Sequence, residues 1–305
     1  MKIAVFGIGG VGGILGGALA RENPDTFFCA RGRNLEAIRQ DGLRVQSPML
    51  GDFAVRPRLA SDNAADFGVV DAVIVSCKGC SLPESCGAIA PMLAPHTVVV
   101  PLFNGLMLSE LMAPLLPPCV LADGVVYIFS HLEGPGRVAQ TSKSCRVIAG
   151  MRDGSRPDAL EELAGILNRA GIQASVTDDI LTESWRKYVT MGSSSVMFCY
   201  YDGPAGKVRE DPDYETVLRA VVGEMIAVAA ARGVRLPEDM GDRLADLFRE
   251  MPPENMTSLY RDLSGGKAAK ETELHNIIGR MVEMGREAGI PTPYHSAAYE
   301  RFASR

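Results

Sequence analysis

Residues 1–33 read MKIAVFGIGGVGGILGGALARENPDTFFCARGR. Lys2 to Phe6 is a short apolar run with β-branched Ile3 and Val5, broken at Gly7, and a small-residue helical pattern runs from Val11 to Ala20. The order is strand, tight turn, helix. Gly7, Gly9 and Gly12 stand at GxGxxG spacing. The first glycine suits a sharp bend, the second lets backbone approach a pyrophosphate, and the third lets helix pack close to strand. The helix N-terminus adds unpaired N–H groups and the positive end of its dipole. The backbone of Gly7, Ile8, Gly9, Gly10, Val11 and Gly12 is therefore the expected cofactor-binding segment. The alternative is a glycine-rich turn in an ordinary α/β protein, and the flanking strand and helix argue against it.

The strand Thr26–Ala30 bears on which dinucleotide. An NAD site usually ends this strand with Asp or Glu for the ribose hydroxyls, whereas an NADP site offers a cation to the 2′-phosphate. Here Arg31 occupies the position, with Arg33 beside it and no carboxylate before Glu36. The expected cofactor is NADPH. A solvated surface charge is the alternative for Arg31, but its register with the glycines favours a phosphate contact.

With 305 residues the chain suggests two domains. A net charge of −6 argues against a general binder of nucleic acid or membrane surface. The first strand begins at residue 2 with no leader ahead of it, and no uncharged apolar run reaches spanning length, so a cytoplasmic protein is expected. Seven cysteines, an odd number, fit reduced thiols. Cys77-Lys78-Gly79-Cys80 spells CxxC but lacks a second ligand pair for zinc, and the four histidines include no metal-spaced pair. No metal is expected.

Leu35–Arg39 reads as a helix, and Leu43–Ser47 and Phe53–Arg56 as strands. Val69–Cys77 and Thr97–Phe103 are continuous apolar runs of the kind buried parallel strands need, with a helical stretch, Ser81–Leu93, between them. The alternation describes an α/β, doubly wound Rossmann-type sheet whose ligand crevice lies at the strand C-termini. Lys78 and Asn104 both follow such C-termini. From Cys119 to Ala149 shorter β segments suggest an antiparallel extension of the sheet, and Ile172–Val176 a last strand. Beyond Asp179 the pattern is helical: Leu181–Tyr200, Asp213–Arg232, Met240–Arg249, Ala268–Ala288 and Tyr294–Ala303. The expected division is a cofactor domain over 1–179 and an all-α substrate domain over 180–305.

On the first of these helices Lys187, Met191 and Ser194 or Ser195 fall on neighbouring positions of one face. Lys187 at such a junction is a candidate for pointing into a cleft. A solvated i,i+4 pair with Glu183 is the alternative.

Taken together, GIGGVG, CARGRNLEAIRQDGLRV, the strand ending at Lys78, FNG at 103–105, WRK at 185–187, TSLYRDL from Thr257 and ELHNIIGRMVEMGREAGIPTP resemble the ketopantoate reductase family in order and over essentially the whole chain. That family reduces 2-dehydropantoate to pantoate with NADPH. The resemblance implies that Lys187 is the catalytic lysine, bonding the 2-oxo group and delivering its proton as hydride arrives. It implies that Glu273 holds the substrate's hydroxyl side and orients the lysine, with Glu271 as the alternative because LSGGKAAKET is longer than the common pattern. Ser258 falls where a serine contacts the substrate carboxylate, and Asn104 and Lys78 match residues lining the cofactor and substrate cleft.

Where the family usually carries asparagines one and two turns after the lysine, this chain has Met191 and Ser195. A thioether cannot replace the amide donors. The leading expectation is NADPH-dependent reduction of a 2-oxo acid, best matched by 2-dehydropantoate. The alternatives are a more apolar 2-oxo or β-keto acid and a protein that senses NADPH without turnover. Whether the helical half forms a homodimer is left open.

Overall fold

The apolar runs become strands of a parallel sheet. In the structure, a computed structural model that describes residues 1–77 and 82–304, these runs belong to the first of two compact units, made of Met1–Cys77, Ser81–Phe103 and Met107–Ile180. The second gathers Asn104–Leu106 and Leu181–Arg305.

The first unit opens with β1 (Ile3–Phe6), α1 (Gly10–Glu22), β2 (Thr26–Cys29), α2 (Gly32–Asp41), β3 (Leu43–Gln46), β4 (Phe53–Val55) and β5 (Leu59–Ser61). It continues with β6 (Ala72–Val75), α3 (Leu82–Ile89), β7 (Val98–Pro101), α4 (Leu108–Met112) and β8 (Val120–Leu121). The main sheet runs β5-β2-β1-β6-β7-β8, every pair parallel. In order of appearance this is 3-2-1-4-5-6, so the topological switch lies between β1 and β6, where α/β sheets bind ligands.

Successive residues of a strand face opposite sides, and both sides are covered. Ile3 and Val5 of β1 join Ile14, Leu15 and Leu19 of α1, whereas Ala4 and Phe6 join Cys86 and Ile89 of α3 and Met112 of α4. Each such buried aliphatic side chain contributes about 1.5–3 kcal/mol relative to exposure. That explains why these strands read as unbroken apolar runs rather than alternating ones.

The segment from Cys119 onward corrects an expectation. Only β8 extends the main sheet, and it does so in parallel. The next strands, β9 (Asp123–Tyr127), β10 (Ser130–Gly134), β11 (Arg137–Gln140) and β12 (Arg146–Gly150), are shared between two further sheets. The β10–β11 hairpin pairs in parallel with β3, which carries β4. β12 lies antiparallel to β9 and, after α5 (Asp158–Arg169), parallel to β13 (Gln173–Val176). Local alternation marks a strand but says nothing about a partner about 90 residues away in sequence.

The hairpin sheet covers α1 and accounts for its small residues. A Cβ on Gly13 would overlap the Val138 side chain, and one on Gly17 would come 2.6 Å from Val45 Cγ2.

The second unit holds α6 (Ile180–Tyr201), α7 (Ala205–Val208), α8 (Tyr214–Ala231), α9 (Met240–Glu250), α10 (Ser258–Ser264), α11 (Arg280–Ala288) and α12 (Pro293–Ala303). No helix of the described residues is long and apolar enough to cross a membrane. The continuous helix expected over 268–288 is interrupted. Thr272 Oγ1 accepts from Leu274 N–H and donates to the Ala269 carbonyl, which closes a short 3₁₀ turn at Ala269–Glu271. The chain then makes a π-turn at His275–Gly279 before α11 begins. A threonine side chain that bonds neighbouring backbone competes with the helix ladder.

Two helices of this unit are locked by a buried carboxylate. Glu224 on α8 accepts from the backbone N–H groups of Tyr294 and His295 at 2.8 and 3.2 Å and meets His295 Nδ1 at 2.5 Å. It serves as the missing cap of α12, whose own Thr292 makes no side-chain cap bond. Glu224→Ala leaves three polar groups, two of them buried, without this acceptor. Denaturant unfolding should show a loss of about 3 kcal/mol, with Glu224→Gln milder; a change under about 0.5 kcal/mol would place it among ordinary surface substitutions and rule the lock out.

Candidate active site

In the first unit the glycine turn lies at the switch between β1 and β6. Gly7 has φ +95°, a conformation open to glycine. A Cβ on Gly12 would collide with the Gly7 carbonyl oxygen and Ser76 Oγ, whereas one on Gly9 would meet nothing within 4 Å. The open side of Gly9 is the space a close-lying phosphate needs. Gly9 caps α1 with no side-chain bond, and the first turn carries no acidic residue. The leading N–H groups of α1 are thus left for an anion. Ile8 is buried, so its contribution there is backbone.

Arg31 ends the β2 segment as the N-cap of α2, and both it and Arg33 are exposed. α2 begins at Gly32, three residues before the first position expected of it. Asn34, which sequence reasoning passed over, ties this region together. Its Nδ2 donates to the Ile8 carbonyl at 2.7 Å and its Oδ1 accepts from Gly136 N–H at 2.7 Å. The glycine turn is thereby pinned to both α2 and the β10–β11 hairpin. An asparagine directly after Arg33 carries no local signal for this role.

The second unit brings three of the sequence-predicted residues together. Lys187 on α6 is half-buried, and its Nζ lies 3.5 Å from Asn104 Oδ1. Burial pushes the lysine down from 10.5 to about 8, and the Glu273 carboxylate opposes that shift. Glu273 is half-buried ahead of the π-turn, whereas Glu271 is exposed on the 3₁₀ turn. The carboxylate acting on Lys187 is therefore Glu273. Glu183 is taken up by Arg186 at 2.9 Å, so the solvated Glu183–Lys187 pair does not form. Met107 has φ +56° just after the Asn104–Leu106 segment. Asp123 holds the start of α4 there, accepting from Ser109 N–H at 2.8 Å and Ser109 Oγ at 2.6 Å.

The expectation for Ser195 needs correction. It is 0% exposed and its Oγ donates to the Met191 carbonyl at 3.2 Å. Seven residues return an α-helix to within about 20° of its starting direction, whereas eight overshoot. Ser194 rather than Ser195 therefore continues the half-buried stripe of Lys187 and Met191. Ser258 is exposed as the first residue of α10, behind the Thr257 N-cap. Lys78 lies outside the described residues. Among the described residues no group of three His, Cys, Asp or Glu side chains could hold a metal ion.

The sequence model described as "Ketopantoate reductase PanE/ApbA" matches residues 3–153, and its C-terminal counterpart, "Ketopantoate reductase PanE/ApbA C terminal", matches 179–304. The chain belongs to the ketopantoate reductase family. Among ketopantoate reductase relatives, the 2-dehydropantoate 2-reductase of Mesorhizobium japonicum is 29% identical over 96% of this chain and 94% of its own length. The crystal structure of a PanE/ApbA family ketopantoate reductase from Ralstonia eutropha JMP134 superposes with a TM-score of 0.87 at 27% identity, covering 98% of this chain and 96% of that one. The fold is also that of a D-mandelate dehydrogenase solved with NADH and anilino(oxo)acetate, with a TM-score of 0.86, 22% identity and coverage of 100% and 98%.

As a member of the ketopantoate reductase family the protein is an NADP-dependent oxidoreductase, uses NADPH and reduces a 2-oxo acid. The residues present fit that cofactor: an uncapped glycine turn with open space at Gly9, and an exposed arginine pair at the end of β2, where NADP sites of this fold place a cation. Arg31→Asp should raise the KM for NADPH by roughly tenfold to a hundredfold, the worth of one or two charge-assisted hydrogen bonds, and leave the KM for NADH within about threefold. Equal losses with both cofactors would remove Arg31 from phosphate recognition.

Proposed function

We propose that the chain reduces 2-dehydropantoate to pantoate, the step of pantothenate biosynthesis that its relatives are named for. The observation that carries this reading is the half-buried Lys187, held by Asn104, faced by Glu273 and pushed down to about 8. When bound, NADPH supplies the hydride that adds to the carbonyl carbon. Lys187 donates its proton to the carbonyl oxygen as negative charge develops there, and recovers one from water afterwards. A lysine near 8 is still mostly protonated at neutral pH yet gives up its proton more readily than an ordinary one. Asn104 Oδ1, which can only accept, holds the ammonium, and Glu273 keeps it charged. Ser258 and Asn104 are assigned to the substrate, and residues 1–179 and 180–305 to cofactor and substrate respectively.

A second reading has one observation in its favour. Met191 presents a thioether on the Lys187 stripe in place of an amide, which suits a more apolar 2-oxo acid. Steady-state NADPH oxidation with 2-dehydropantoate, branched and aromatic 2-oxo acids separates the two. A kcat/KM for 2-dehydropantoate at or above the others supports the first; a preference of tenfold or more for another acid sinks it.

A further inference from the structure

Lys187 and Glu273 come from separate elements of the second unit, α6 and the turn ahead of α11, and nothing in either element alone fixes their spacing. The structure supplies a link one residue along. Tyr188 follows Lys187 on α6, is fully buried, and its hydroxyl donates to the Ile277 carbonyl at 2.6 Å. Ile277 sits inside the His275–Gly279 π-turn, and its own N–H donates to the Glu273 carbonyl at 2.9 Å. A closed path therefore runs from Lys187 to Tyr188, across one buried hydrogen bond to Ile277, and across one backbone bond to Glu273.

The π-turn gives this path its purpose. Its i→i+5 bond, from Arg280 N–H to the His275 carbonyl, accommodates one residue more per turn than an α-helix. Such single-turn widenings re-aim the residues ahead of them and are held only by outside contacts. A phenol buried with Trp185 edge-on at 6.1 Å has little freedom to move, so its donor fixes where the Ile277 carbonyl must be.

We propose that Tyr188 is a positioning residue, holding the π-turn through the Ile277 carbonyl so that the Glu273 carboxylate stays within working range of the Lys187 ammonium. The inference rests on Lys187 being the proton donor. Among the described residues, the charged groups that act on this path are Lys187 and Glu273 themselves and Arg280, whose charge reaches the Tyr188 phenol.

The test is the pH profile of kcat in the full-length enzyme, for the parent, Tyr188→Phe, Glu273→Gln and the double variant. Glu273 raises the lysine's proton affinity, so its displacement moves the alkaline limb to lower pH. Tyr188→Phe should move that limb by about one unit, the low end of what a nearby opposite charge supplies, with the KM for NADPH unchanged. It should add nothing to Glu273→Gln. A limb that stays in place, or a shift that adds to that of Glu273→Gln, overturns the proposal. Should Tyr188→Phe fail to fold, deletion of the exposed His275 removes the extra residue of the π-turn and leaves Tyr188 intact; the same shift is expected, and an unmoved limb is again fatal. A limb that survives in Lys187→Ala defeats the proton-donor reading and this inference with it. A limb that vanishes there but is unmoved in Tyr188→Phe defeats this inference alone.

Discussion

Replacing Lys187 with methionine should lower kcat by at least about 10²-fold, the contribution of a placed general acid, while NADPH still binds as tightly as before. The two readouts part because the glycine turn and Arg31, the residues proposed to meet the cofactor, belong to the first unit and are untouched. The same substitution should stabilise the folded protein. Burial depresses the lysine from 10.5 to about 8, so below 8 the folded state carries a poorly solvated cation that the unfolded chain leaves in water. Between 8 and 10.5 the unfolded chain binds the proton that the folded one has released, and native stability rises with pH across that window. The gain from methionine is therefore largest at neutral pH and fades as pH climbs through it. In the parent enzyme kcat should fall as pH rises past about 8, when the donor empties. A methionine variant that keeps more than a tenth of parental kcat would end the assignment; a stability gain over the parent that is the same at pH 7 and pH 10 would show that the lysine bears no burial cost.

The second large effect is expected at Gly12. An alanine there must fit a Cβ against the Gly7 carbonyl oxygen and Ser76 Oγ, and neither can retreat cheaply. The Gly7 carbonyl belongs to a turn at φ +95° and already accepts from Ser76 Oγ at 2.8 Å. We expect Gly12→Ala to cost about 3 kcal/mol, the upper end for overpacking, and to weaken NADPH binding by about 10²-fold as α1 is levered off β1. Gly9→Ala is the matched control. Its Cβ enters open space, so denaturant unfolding should shift by less than about 0.5 kcal/mol while NADPH affinity still drops, because the methyl occupies the phosphate's place. Equal unfolding midpoints for the two variants would contradict the packing argument.

The residues of local chemistry were legible without coordinates. The turn from Gly7 to Gly12, the arginine at the end of β2, the two apolar strands that flank the switch and the helical second half all announce themselves over windows of a few residues. Where the reading erred, the missing information was a partner distant in sequence. Asn34 matters because Ile8 and Gly136 lie against it, and the Cys119–Ala149 segment split into separate sheets because its strands chose β3 and β13. On α6 the error was one of angle: Ser194 and Ser195 differ by about 100° around a helix, and only packing says which of them is turned inward.

By itself, then, the sequence determined the cofactor fold, the glycine turn and the residue types available for proton transfer, because glycine sterics, charge and strand or helix period act over short range. The tertiary structure decided which carboxylate faces Lys187. Glu271 and Glu273 are equivalent in composition and two residues apart, and they are separated by the Thr272 turn and the π-turn that Tyr188 holds from another helix. That choice is made by hydrogen bonds between elements about 90 residues apart, which no local pattern encodes.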